Sequence, residues 1–134
     1  MISGRIRGDQ KGAVAVEFAL AVPVFLMMMI GTMQLGRMFL ANSGLNSAVE
    51  YGARAASVYT PPPGITDAQI AAQIDAKQYG LEPSRLSVPT ISRGTDSDGS
   101  NYVDISMSYQ QPMDFVFFQL APVTLTETRR AYIP

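Results

Sequence analysis

Hydrophobic and polar positions divide this chain into two regimes. Between Glu17 and Arg37 no charged residue interrupts a run rich in Val, Leu, Phe and Met. At a helical rise of about 1.5 Å per residue, residues 18–36 advance roughly 28 Å, close to the hydrocarbon thickness of a bilayer. The run therefore predicts a transmembrane helix. Pro23 lies inside it, where it removes one intrahelical hydrogen bond and predicts a helix kink. Ala13, Ala15, Ala19 and Ala21 supply small positions at which helices approach closely. Met27, Met28, Met29 and Met33 read as lipid-facing bulk rather than a metal site.

Beyond Arg37 the period changes. Leu45, Val49, Gly52, Ala56 and Tyr59 follow the spacing of an amphipathic helix, with Gly44, Ala48, Gly52 and Ala56 running beside them every fourth residue. Glycines inside a helix cost about 1 kcal/mol each relative to alanine, so this stripe calls for a close-packed neighbour. Asn42, Ser43 and Gly44 mark a place where the helix can break. The TPPPG stretch at 60–64 ends the helix, because successive prolines favour extended backbone. Thr66 with Gln69 forms a capping box and Ile65 with Ile70 a hydrophobic staple, so a second helix begins there. Ile70 and Ile74 are its buried face and Gly80 is placed as its C-terminal cap.

Three strands follow in this reading. Residues 86–91 form a short edge strand containing Pro89. Residues 102–109 alternate Val103, Ile105, Met107 and Tyr109 with polar positions, the mark of a half-buried strand. Residues 123–133 make the third, where Glu127 and Arg129 share a face with Val123 and Leu125, so a twist, a bulge or passage beyond the core edge is expected. Between the last two strands, residues 114–120 (DFVFFQL) carry Phe115, Phe117, Phe118 and Leu120. These side chains either fold back to seal the sheet, the outcome favoured because the third strand fills that face poorly, or form an exposed interaction patch. The fold class is α+β: a long N-terminal helix, a second short helix and an antiparallel sheet of about three strands.

Composition narrows the chemistry. The chain has no His and no Cys, which removes His- or Cys-based catalysis, disulfides and the usual transition-metal ligands. No enzyme, cofactor or small-molecule substrate is expected. Asp96, Asp98, Asn101 and Asp104 surround Gly99, yet the spacing does not meet the EF-hand pattern, and a polar hairpin turn is favoured over calcium. Arg5, Arg7 and Lys11 against Asp9 leave the first twelve residues at +2, so with −1 overall the rest carries −3. No basic face suggests nucleic acid. Positive charge before the span keeps that end cytoplasmic and sends the remainder outward. A secretory signal peptide fits less well, because its apolar core is shorter and holds no acid at its start.

Glu17 at the threshold of the apolar run is the feature with chemical content. An acid costs about 2.5–3.5 kcal/mol at the centre of a membrane helix and less near the interface. It either snorkels to the headgroups or has a partner. Cleavage after Gly12 would release an α-amine on Ala13, one helical turn from Glu17 on the same face, and that amine can meet Glu17 of the same or a neighbouring subunit.

The basic leader, Gly12, Ala13 to Val16, Glu17 and Phe18 resemble a type IV prepilin-peptidase site. More narrowly, residues 12–37 are similar to the N-terminus of TadE-like proteins, pseudopilins of tight-adherence (Tad, type IVc) pili. The shared pattern is Val16 to Ala19, Pro23, the apolar run and Gly36-Arg37, and the EYGARAAS segment at 50–57 resembles the family further on. Gln34 departs from the pattern, since an acid is more usual there, and receives no role. The resemblance implies cleavage between Gly12 and Ala13, an assembly role for Glu17 and Phe18, and prepilin peptidase and other pilin subunits as partners. It also implies a bacterial inner-membrane protein with its C-terminal domain periplasmic, or in the pilus after assembly. The corresponding division is a leader at 1–12, a membrane helix at 13–36, a helical extension at 37–59 and an extracytoplasmic domain at 60–134. The alternative is an uncleaved single-pass binding module.

Overall fold

The computed structural model describes residues 10–58, 64–115 and 118–133. Helix α1 (Gln10–Val58) contains 49 residues and is roughly 74 Å long at the α-helical rise. It passes Pro23 and the 42–44 segment without interruption. The helix does not break at Gly44, where the glycine has a packing use: a Cβ there would sit 2.5 Å from the Tyr79 carbonyl oxygen. Tyr59 and the prolines at 61–63 lie outside the described residues.

Helix α2 (Asp67–Asp75) begins as its capping box requires. The Gln69 backbone N–H donates to Thr66 Oγ1 at 3.3 Å, and the Thr66 backbone N–H donates to Gln69 Oε1 at 2.9 Å. Ile65, Ile70 and Ile74 are buried. The helix stops at Asp75 with Ala76 as its cap, so Gly80 is not the cap. Its positive φ of +73° instead serves the turn that carries Tyr79 and Leu81 back to α1.

A three-stranded antiparallel sheet, β1 (Thr90–Thr95), β2 (Asn101–Phe115) and β3 (Phe118–Ile133), has β2 in the centre. Each strand departs from the sequence expectation in extent. The first starts after Pro89, because residues 83–85 form a 3-10 turn opened by Pro83 and Leu86 makes only an isolated bridge to Tyr109. The other two run past Pro112 and Pro122 to make one long hairpin. A register shift absorbs both prolines: Gln111 pairs with Val123 and Met113 with Leu120, leaving an extra residue on β3. Bulges and edges are where proline fits in a sheet. No irregularity falls at Glu127 or Arg129, where pairing is continuous.

The core lies between this sheet and the C-terminal part of α1. Val103, Ile105, Met107 and Tyr109 alternate on the buried face of β2, against Ala41, Leu45, Ala48, Val49 and Ala56 of α1 and the isoleucines of α2. Gly52 lets the layers meet, since a Cβ there would lie 2.7 Å from Ile74 Cγ1 and 3.4 Å from Ile105 Cδ1. The chain's own domain is thus the close neighbour that the small-residue stripe demands. Glu127 and Arg129 face the α1 side of β3 at the sheet edge, where Arg129 donates to Asn46 Oδ1 at 3.0 Å. Arg93 joins β1 to the start of α2 by donating to Asp67 Oδ1 at 2.9 Å and to the Ile65 carbonyl at 2.8 Å.

Candidate functional site

No side chain of α1 from Gly12 to Met33 is buried. Phe18, Phe25 and Met28 are among the most open large apolar groups on this stretch. The helix is long and apolar enough to cross a membrane, with its most apolar window uncovered by the rest of the chain. From Gly12 to Gln34 the helix carries three polar side chains. Thr32 satisfies its hydroxyl within the helix by donating to the carbonyls of Met28 and Met29, both at 2.9 Å. Gln34 is buried under the β2–β3 hairpin and donates through Nε2 to the Asp114 carbonyl.

Glu17 is the third, and it is treated differently. It is exposed on the same helical face as Ala13 and enters no ion pair or hydrogen bond among the described residues. Gly12, Ala13 and Phe18 are also exposed. A carboxylate at the margin of a bare apolar helix, with no partner among the described residues, is open to a cation supplied from outside that helix.

At the other end of the apolar run lies the hairpin tip. Phe115 and Phe118 pair across the strands with rings stacked at 4.9 Å and 18°. Phe118 is 48% and Leu120 53% exposed. Phe118 and Leu120 therefore do not seal the sheet; continued pairing past the two prolines carries the strands along α1 as far as the Phe115–Phe118 pair. Phe117 lies outside the described residues. Gln34, to which sequence reasoning gave no role, ties this tip to the helix. An amide within one turn of Arg37, in a run otherwise free of strong donors, was the available signal.

The acidic loop at 96–100 closes the β1–β2 hairpin, with Gly99 at φ +87°. Its carboxylates serve the turn and the sheet: Asp98 accepts from the Ser100 N–H at 2.9 Å, which holds it below its ordinary value. Asp104 accepts two bonds from Arg130 at 2.8 Å, which likewise lower its pKa. Arg130 also stacks 3.7 Å from the Tyr102 ring centroid, and Tyr132 donates to Asp96 at 3.2 Å. Among the described residues no group of three acids converges as metal ligands. A groove lined by Glu50, Arg54, Arg129 and Tyr132 contains Ser57, whose hydroxyl donates to the Arg54 carbonyl at 3.0 Å. None of these lining groups sets a general base against that hydroxyl.

The TadE-like protein family matches residues 12–54. The match covers the bare part of α1 and most of the stripe that packs on the domain, while α2 and the sheet lie beyond it. No curated protein and no solved structure matches the chain.

Proposed function

We propose that this chain is a TadE-like minor pilin, or pseudopilin, of a Tad pilus, acting in initiation, assembly or capping of the filament. A prepilin peptidase hydrolyses the Gly12–Ala13 amide, leaving a carboxylate on Gly12 and an ammonium on Ala13. Residues 1–12 are the leader, α1 is held in the inner membrane with its N-terminus cytoplasmic, and the α2–sheet domain is periplasmic before assembly. The family match over residues 12–54 supports this reading. The observation that carries it is Glu17: the carboxylate has no partner among the described residues and stands one helical turn from the amine that processing would create.

The ammonium of Ala13 then neutralises Glu17 within one subunit or between neighbours, while the uncovered helix packs against other pilin helices. A strain carrying only Glu17→Ala tests the pairing. Processing and insertion proceed at least as well as in wild type, since the span becomes more apolar, but piliation is lost. Normal piliation by that strain would contradict the role given to Glu17.

A further inference from the structure

We propose that the tip of the β2–β3 hairpin is a second lipid contact, with Phe118 and Leu120 entering the outer-leaflet interface of the bilayer that α1 crosses. This rests on the membrane reading of α1. The strand and helix run side by side at one pace. Ile105 lies at Gly52 and Asp114 at Gln34; the nine strand steps between the first and last cover roughly 31 Å, and the eighteen helical steps roughly 27 Å. The same pace brings the Phe115–Phe118 pair level with about Thr32 and the Met113–Leu120 pair level with about Gly36. The aromatic pair thus stands roughly 5–8 Å to the membrane side of Arg37, the charge that ends the apolar run.

The surface at that level is suited to lipid. Phe118 and Leu120 are half-exposed and stand at the level of Met33 and Leu35, 58% and 48% exposed on α1, so helix and tip share one apolar band. The strand ladder continues through Asp114↔Gln119 and Phe115↔Phe118, pairing the backbone groups that face across the hairpin, while the groups on its two open edges keep it at the hydrated interface. Asp114 is the charged residue on the tip, and its exposed carboxylate confines insertion to the interface, where an acid costs less than at mid-membrane. With α1 as the first anchor and the tip as the second, the domain is held at a set angle to the membrane instead of pivoting about the helix.

The chain has no cysteine, so single cysteines can carry a polarity-sensitive fluorophore in the full chain reconstituted into phosphatidylethanolamine–phosphatidylglycerol vesicles. Leu120→Cys and Phe118→Cys report the tip, Phe25→Cys the span, and Val88→Cys, 84% exposed, the outer domain. The tip labels should be quenched several-fold more than the Val88 label by lipids with a nitroxide near the headgroup, and the Phe25 label by lipids with the nitroxide deep in the chain. Quenching at Phe25 with tip labels that behave like Val88 would overturn the tip contact alone. Tip labels shielded from both lipid and aqueous quenchers would assign the tip to a protein partner and overturn it as well. Absence of quenching at Phe25 would remove the membrane reading and this inference together.

Discussion

The two parts of α1 differ in apolar content and meet opposite fates. From Gly12 to Met33 bulky Val, Leu, Phe and Met residues surround the axis and none is buried, whereas from Ala41 onward one narrow stripe of small and aliphatic residues is buried almost completely. The difference is one of amount and of arrangement. An apolar surface on every side has no preferred internal partner and suits lipid or other helices. A stripe that places Gly44, Ala48, Gly52 and Ala56 in line admits a sheet and a second helix at close range. One rod is thereby long and apolar enough to cross a membrane over one part and forms one wall of a folded domain over the other.

Truncation of a large side chain should separate the parts most strongly. Leu45→Ala should destabilise the domain by about 2–5 kcal/mol, because Leu45 is fully buried. Met28→Ala, on the bare part, should leave domain unfolding within about 0.5 kcal/mol of wild type. Denaturant unfolding of the full chain in detergent, followed by tyrosine fluorescence, checks both, and equal effects would erase the distinction. It also follows that a fragment starting after α1 lacks a wall of its core.

A smaller effect is expected where α2 covers the stripe. Thr66→Ala removes the side chain that caps α2 and should cost about 0.5–2 kcal/mol. Hydrogen exchange should then rise in α2 and around Gly52 while the bare part keeps its wild-type pattern. A change confined to the bare part would contradict the packing described.

The smallest effect lies on the sheet face turned away from α1. The hydrogen bond from Arg130 holds Asp104 below its ordinary value of 3.8. Its contribution is therefore complete above pH 3.8 and is lost as pH falls through the lowered folded value. Asp104→Asn should be less stable than wild type at neutral pH, and the gap should narrow as acid is added below that point. Urea melts across the acid range measure it, and a gap that widened on acidification would refute the role of the pair.

Much of this fold was legible because single local signals were decisive. The uncharged run and the stripe at Leu45, Val49, Gly52 and Ala56 gave α1, the Thr66–Gln69 box gave the start of α2, and alternation from Val103 to Tyr109 gave the centre of β2. Misreadings gathered at Pro89, Pro112, Pro122 and Gly80. Each is a local breaker whose effect depends on a distant partner: Pro112 and Pro122 look like strand ends until a register shift lets one hairpin pass them both. Of the candidate site, Glu17 stood out because charge in an apolar run is visible in one dimension. Gln34 did not, because its partner is the Asp114 carbonyl eighty residues away.

The intact mass of the mature protein, purified from membranes of cells that make a prepilin peptidase, tests the central claim most directly. A chain beginning at Ala13 is expected, together with a Gly12→Leu form that keeps residues 1–12. A wild-type chain that retained its leader would contradict that claim and leave an uncleaved membrane-anchored module in its place, and one that began at any other residue would contradict the cleavage site.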